Sequence, residues 1–137
     1  MIEIDNLTDF EIEVEFLEKI SNYFANSKDI ELIVCNSEYI KDLNKKHRKK
    51  DKSTDVLSFG IQDFLVLGSI VINIDEVKSK ASFYKHSFYN EFCLLFIHGL
   101  LHLLGYDHEK DFGEMRNKEE EIIKHFDLPT SLIVRQV

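Results

Sequence analysis

The sequence predicts one small domain of the α/β (α+β) class over residues 1–137, with a four-stranded mixed sheet packed by about five helices. Segments with strand and helix periodicity alternate in the first part of the chain, and a pair of strands followed by three helices completes it. The chain is 44% hydrophobic and 31% charged, which is typical of a globular domain. A chain of this length buries about two thirds of its unfolded surface, so one core is sufficient.

The first two predicted strands flank one helix. Ile2 and Ile4 alternate with acidic residues, which indicates a short strand. A capping box begins at Thr8, and apolar residues then recur with helical spacing, so we expect an amphipathic helix over residues 9–25. The nearly continuous apolar run within residues 29–35 predicts a second strand that is buried on both faces.

The middle of the chain predicts a helix and a pair of strands. We expect the second helix to begin at its cap residue Ser37 and to give way to a loop over residues 47–53. Its inward side chains are expected to be Tyr39, Ile40 and Leu43. Residues 54–59 and 67–74 predict the third and fourth strands, which are close enough in sequence to pair in antiparallel fashion.

Three helices are expected in the last part of the chain. Asp75 opens the first, Ser87 caps the second, and the third spans about residues 111–126. The side chains expected to face inward from the first are Val77, Ala81 and Tyr84. Those expected to face inward from the last are Phe112, Met115, Ile122, Ile123 and Phe126. The apolar tail at residues 132–134 is expected to pack against the domain.

The helix capped by Ser87 carries the chemistry. His98 and His102 are four residues apart, so their imidazoles lie on one face of a helix. Their neighbours are apolar on nearly all sides, which predicts burial, and an unpaired buried imidazole costs roughly 1–3 kcal/mol. A divalent cation would satisfy both rings. Gly105 then allows the backbone to leave the helix through a left-handed residue, which brings His108 back to the same point.

Three histidines leave the fourth tetrahedral position open, as in catalytic zinc sites, so we expect one Zn²⁺ per chain. The spacing His-x3-His-x5-His is that of metzincin proteases, which carry a glutamate base directly after the first histidine. Here Gly99 occupies that position, so a protease would lack its base. A single histidine on an apolar face is usually an ordinary core residue, but three histidines at this spacing are better explained as metal ligands. The apolar run is shorter than the roughly 20 residues that a membrane span needs.

Charge is unevenly distributed along the chain. The net charge of −8 disfavours nucleic-acid binding by the surface as a whole. Acidic residues concentrate in residues 3–18 and 109–121. One basic run lies between these two acidic regions of the sequence: Lys45, Lys46, Arg48, Lys49, Lys50 and Lys52. Alone, such a run usually forms a solvated face, but beside a metal centre it would attract phosphates.

The two cysteines and the amino terminus indicate a cellular setting. Cys35 and Cys93 lie in apolar runs without Cys-x-x-Cys spacing, so we expect buried free thiols rather than metal ligands. The acidic start at Met1 has no character of a signal or transit peptide. We therefore expect a cytoplasmic protein.

The histidine segment, His-Gly-x-Leu-His-Leu-x-Gly-Tyr-Asp-His at residues 98–108, resembles the signature of the YbeY family of bacterial endoribonucleases. Residues 48–59 are similar to that family's Arg-x-x-Asp-x-Pro-Thr-Asp-Val-Leu-Ser-Phe segment, and residues 67–70 match in the same order. Three positions depart from the family pattern. Ser53 and Gly60 replace common prolines, and Ser69 replaces a common aspartate, which puts in doubt any contact that depends on it.

The resemblance implies a zinc-dependent, single-strand-specific endoribonuclease in ribosomal RNA processing, maturation and ribosome quality control. His98, His102 and His108 would be the metal ligands. Arg48 would be catalytic, because a planar guanidinium holds two phosphoryl oxygens of the transition state at once. RNA-backbone contacts would come from Lys45, Lys46, Lys49, Lys50 and Lys52. The implied partners are a ribosomal RNA precursor and small-subunit proteins or assembly factors, with no membrane or DNA.

Several points stay open at this level. Asp107, Glu109 and Asp111 are near enough in sequence to orient the histidines, and no residue stands out as general base. Asp55, Ser58 and Tyr106 could line the cleft or serve packing. A metallohydrolase of another class, such as a peptidase or amidase, is one alternative function. The other is a ribosome-assembly factor without enzymatic activity, in which zinc is structural.

Overall fold

The computed structural model describes residues 1–25, 28–60 and 66–129. Four strands lie in this part of the chain: β1 (Ile2–Asn6), β2 (Asp29–Cys35), β3 (Val56–Gly60) and β4 (Val66–Asn73). Five helices lie there too: α1 (Val14–Phe24), α2 (Ser37–Arg48), α3 (Ile74–Tyr84), α4 (Phe88–Leu103) and α5 (Glu114–His125). The sheet order is β1-β2-β4-β3, with β3 antiparallel to β4 and the other pairs parallel. The predicted four-stranded mixed sheet with about five helices is confirmed.

Helix α4 is the centre of the larger core. All of residues 91–101 are buried, as expected for a helix that is apolar on nearly every side. Phe92 and Phe96 pack in the same cluster as buried side chains of β2 and β4. A smaller cluster, formed by Cys35, Ile40, Leu57 and Val71, contains buried side chains of α2 and of β2, β3 and β4. The strand β2 contributes to both clusters, although Ile33 is only half-buried.

The predicted start of α1 is wrong because Thr8 belongs to a turn. The Asn6 side chain accepts hydrogen bonds from the Thr8 amide (3.0 Å) and from the Thr8 hydroxyl (2.7 Å). The Thr8 Oγ1 atom then accepts from the Phe10 amide at 3.2 Å, so it does not cap a helix. Phe10 still reaches the core, where its ring stacks on Phe92 at 5.3 Å. The helix begins only at Val14.

The boundaries of α2 also differ from the prediction. Asn36 is its cap, since its side chain accepts from the Tyr39 amide at 3.0 Å. The helix continues to Arg48, so the predicted loop over 47–53 begins two residues too early. Tyr39 is exposed rather than turned inward. The last turn of the helix is basic and exposed.

Two more expected inward side chains are exposed. Phe112 is 100% exposed and precedes α5, which starts at Glu114. The Asp111 carboxylate explains this start, since it accepts from the amides of Gly113 (2.9 Å) and Met115 (3.0 Å). Tyr84 lies at the exposed end of α3. The tail at residues 132–134 lies outside the described residues.

Candidate active site

Three histidines converge at the end of α4. One ring nitrogen from each of His98, His102 and His108 lies within 4.8 Å of the others. The turn after the helix makes this possible, because Gly105 has a φ of 99°, which favours glycine. Its amide donates to the His102 carbonyl at 3.0 Å, and the Tyr106 amide donates to the Leu101 carbonyl at 3.1 Å. The predicted convergence through Gly105 is present in the structure.

The outer nitrogens of two of these rings have partners that fix the ring orientation. His98 Nδ1 lies 2.9 Å from the carboxylate of Glu119, which is only 1% exposed. His102 Nδ1 lies 3.0 Å from the Tyr106 carbonyl, which can only accept a hydrogen bond. Both rings therefore carry their proton on Nδ1 and keep a free lone pair on Nε2.

This arrangement fits a metal ion. The two Nε2 atoms of His98 and His102 lie 3.2 Å apart, so two lone pairs face the same small region. His108 Nδ1 is buried and has no hydrogen-bond partner among the described residues. Burial lowers the pKa of His102, and the neighbouring His98 lowers it further, which favours the neutral form that binds metals. The three histidines are therefore suited to bind one divalent cation.

Neither Asp107, Glu109 nor Asp111 orients a histidine ring. Asp107 Oδ1 accepts from the Glu109 amide at 3.1 Å, and Asp111 Oδ2 accepts from the Met115 amide at 3.0 Å. The carboxylate that does so, Glu119, comes from α5 and was missed in the sequence. Its position was the available signal, because it lies four residues after the buried Met115 and three before the buried Ile122. A carboxylate on the apolar face of a helix needs a buried partner.

The histidines share one cleft of about 660 Å³ with Arg48. Arg48 is the last residue of α2 and is exposed, so its guanidinium can reach a ligand in the cleft. Thr54, Asp55 and Ser58 also line it, as do Tyr106, Asp107 and Glu109. The structure therefore brings the predicted metal ligands and the predicted catalytic arginine together.

The five predicted RNA-binding lysines lie beside the cleft rather than among the described residues that line it. Lys45 and Lys46 are in the last turn of α2, and Lys49, Lys50 and Lys52 follow it. All five are exposed. Lys45 lies 3.9 Å from the Asp51 carboxylate, a long ion pair among the described residues. Such an exposed pair contributes little to stability and leaves the ammonium accessible.

Asp55, Ser58 and Tyr106 combine cleft lining with structural contacts. The Asp55 carboxylate pairs with Lys80 and accepts from the Val56 amide at 2.8 Å. Ser58 Oγ donates to the Gly99 carbonyl at 2.8 Å. Tyr106 is half-buried and packs against the main core. These three residues therefore have structural roles in addition to lining the cleft.

Gly99 occupies the position that carries a base in metzincins, but here it faces the sheet. A Cβ atom at this position would lie 2.9 Å from Ile70 Cγ2 and 3.1 Å from Ser58 Oγ. The glycine therefore allows α4 to approach β3 and β4 closely. A side chain at this position would crowd Ile70, Ser58 and Val56, so the packing of α4 against the sheet favours glycine over glutamate here.

The two cysteines are buried free thiols, as predicted. Burial raises the pKa of Cys35 and of Cys93 to about 12 in each case. Thiolates are the metal-binding form, so neither sulfur is suited to ligation. Among the described residues, no helix combines the length and apolar character needed to cross a bilayer.

Comparison with known proteins gives a consistent result. The family model described as "Endoribonuclease YbeY" matches residues 3–127. The chain is 58% identical to a protein named Endoribonuclease YbeY from Aliarcobacter butzleri, over 98% of this chain and 99% of that one. It is 57% identical to the protein of that name from Nautilia profundicola, over 98% of each. A solved structure from Thermotoga maritima has a TM-score of 0.67 and 29% identity, over 93% of this chain and 92% of that one.

Proposed function

This chain belongs to the YbeY family of endoribonucleases, and from that membership we propose that it is a zinc-dependent hydrolase that cuts single-stranded regions of ribosomal RNA precursors. We further propose that it acts in the maturation and quality control of ribosomes in the cytoplasm. One observation carries the proposal: three histidines suited to a metal ion share a cleft with Arg48.

Zinc suits the histidine site on chemical grounds. Three neutral imidazoles in a tripod leave one coordination position for water or substrate, which is the arrangement of catalytic zinc sites. When bound, the ion would supply Lewis acidity and lower the pKa of a coordinated water. The chain's own contribution is to hold His98 and His102 in a fixed tautomer through Glu119 and the Tyr106 carbonyl.

Arg48 would stabilise the charge that develops on the phosphoryl group. Phosphodiester cleavage places additional negative charge on the nonbridging oxygens, and the guanidinium can donate to two of them. Arg48 lines the same cleft as the histidines and is exposed, so a bound phosphate can meet both.

The exposed lysines would hold the RNA backbone on the approach to the cleft. They form a basic surface on a chain whose net charge is −8, so phosphates are attracted to this surface. Point charges of this kind position a strand without reading its sequence. Selection of the cutting site would therefore depend on RNA structure and on ribosomal partners, for which we propose small-subunit proteins or assembly factors.

The proposal is tested by metal analysis combined with a cleavage assay. We expect about one zinc per chain, and cleavage of structured ribosomal RNA that stops with a chelator and returns with added zinc. Peptide substrates should remain intact, because Gly99 faces the sheet and supplies no base. Wild-type protein that holds zinc and supports ribosome assembly without cutting RNA would instead favour an assembly factor. Peptide cleavage would favour a peptidase.

A further inference from the structure

The segment over residues 49–55 forms part of the cleft although it belongs to no helix or strand. Arg48 directly precedes it, and Thr54 and Asp55 at its end line the cleft. An irregular segment has no ladder of backbone hydrogen bonds to fix its position. Its geometry therefore depends on contacts with neighbouring elements, among them two buried side chains.

One such side chain is Asn73, at the end of β4, which is 0% exposed. Its amide nitrogen lies 3.1 Å from Ser53 Oγ, 3.1 Å from the Thr54 carbonyl and 3.0 Å from Ser37 Oγ. Its backbone amide donates to the Asp55 carbonyl at 2.9 Å. Asn73 thus contacts three consecutive residues of the segment. The three acceptors share two amide hydrogens, so this donor is fully used.

The other is Asn44 in α2, which is 1% exposed. Its side-chain nitrogen donates to the Lys52 carbonyl at 3.0 Å. Its backbone carbonyl accepts from the amides of Lys49 and Lys50, the latter at 3.3 Å. Lys49 has a φ of 56°, so the chain leaves the helix through a left-handed residue directly after Arg48. Asn44 holds this sharp turn in place.

We propose that Asn44 and Asn73 are positioning residues for the reaction. They anchor the two halves of the segment from two different elements, and so fix Arg48, Thr54 and Asp55 relative to the three histidines. Displacement of a reacting group by about 1 Å is enough to slow catalysis by orders of magnitude. This inference rests on the proposed endoribonuclease function.

The substitution Asn73→Asp removes the positioning donor and replaces it with a carboxylate oxygen. Asn73 Oδ1 also caps α3 by accepting from the Asp75 amide at 3.0 Å, and an aspartate keeps that acceptor and the side-chain volume. It loses the donor to the Thr54 carbonyl, which cannot donate in return. We expect cleavage of saturating RNA to slow about tenfold or more, with RNA affinity changed less than about threefold, because the lysines are untouched.

A milder pair of variants separates positioning from folding. Ser53→Ala removes a contact of the Asn73 amide on the cleft segment, whereas Ser37→Ala removes a contact of the same amide on α2. Ser53→Ala should slow cleavage and speed hydrogen exchange at the amides of residues 49–56. Ser37→Ala, the matched control, should leave both near the wild-type values. Zinc content should be the same in all variants.

The outcomes are distinct. A lower rate at saturating RNA with retained affinity, confined to Asn73→Asp and Ser53→Ala, supports the inference. Equal effects of the two serine variants would overturn it, since the Asn73 amide would then hold the helices α2 and α3 as much as it holds the cleft segment. Unchanged cleavage by both Asn73→Asp and Ser53→Ala, beside an active wild type, would also overturn it. A wild type that does not cut RNA would reject the proposed function itself.

Discussion

The two sides of the cleft are held in different ways. The histidine side is formed by α4, whose residues 91–101 are all buried, and by a glycine turn that follows it. The arginine side is formed by the exposed end of α2 and by an irregular segment held by two buried asparagines. The hydrophobic core fixes the first side, and a few hydrogen bonds fix the second. Substitutions on the histidine side should change both stability and activity, whereas substitution of the exposed Arg48 on the other side should change activity alone.

The largest expected effect is that of His102→Ala on the histidine side. It should abolish zinc binding and cleavage. The variant should also be less stable than the zinc-loaded wild type by several kcal/mol, because His98 and His108 would lose their shared partner. Elemental analysis and thermal melts with and without chelator measure this. A wild type that is metal-free and equally stable in chelator would contradict the metal site.

Arg48→Ala tests the other side of the cleft. We expect cleavage at saturating RNA to fall by on the order of 10²–10³, with thermal stability and zinc content unchanged, because the side chain is exposed. Arg48→Lys should recover little, since an ammonium lacks the planar fork. Single-turnover rates, measured together with separate RNA-binding curves, distinguish a loss of cleavage from a loss of binding. Normal cleavage by Arg48→Ala once RNA saturates would make Arg48 a binding residue only.

Glu119→Gln sharpens the comparison within the histidine side. The variant keeps the volume and a hydrogen-bond acceptor for His98 but loses the negative charge near the metal site, so zinc affinity should fall about 10–100-fold. Competition with a chelator of known affinity measures it. The matched control is Glu120→Gln, because Glu120 pairs with Arg116 on the partly exposed side of α5. Equal zinc affinity in the two variants would remove Glu119 from the site.

The smallest effect is expected for the lysines. Replacing Lys46, Lys49 and Lys50 together with alanine should weaken binding similarly for all RNA sequences, and reduce the slope of log affinity against log salt by about one unit per lost contact. The maximal cleavage rate should stay near wild type. A control triple at Lys19 in α1, Lys124 in α5 and Lys28, which directly precedes β2, should leave the slope unchanged. An equal loss in both triples would mean that only total charge matters.

The same contrast explains what the sequence could predict. His98, His102 and His108 were found because ligand spacing follows from helical geometry and one glycine. Glu119 and Asn73 act across 21 and about 20 residues of sequence, so only the packed fold shows which side chains they meet. The four strands and five helices were predicted from periodicity. Helix starts were less predictable, because at Thr8 a local turn competed with the cap that the sequence pattern suggested, and near Asp111 a turn held by its carboxylate delays the start of α5 to Glu114.

The close approach of Gly99 to Ile70 and Val56 bears on how this protein could diverge in evolution. Metzincins and this chain share histidine spacing, and the glycine stands where metzincins carry the glutamate that peptide hydrolysis needs. Here a change of that glycine to glutamate would bring a Cβ atom to 2.9 Å from Ile70 Cγ2, so that either Ile70 or α4, which carries His98 and His102, would have to shift. A shift of α4 would disturb the histidine site before any new activity appeared. The packing of one glycine thus means that more than a single substitution would be needed to convert one kind of site into the other.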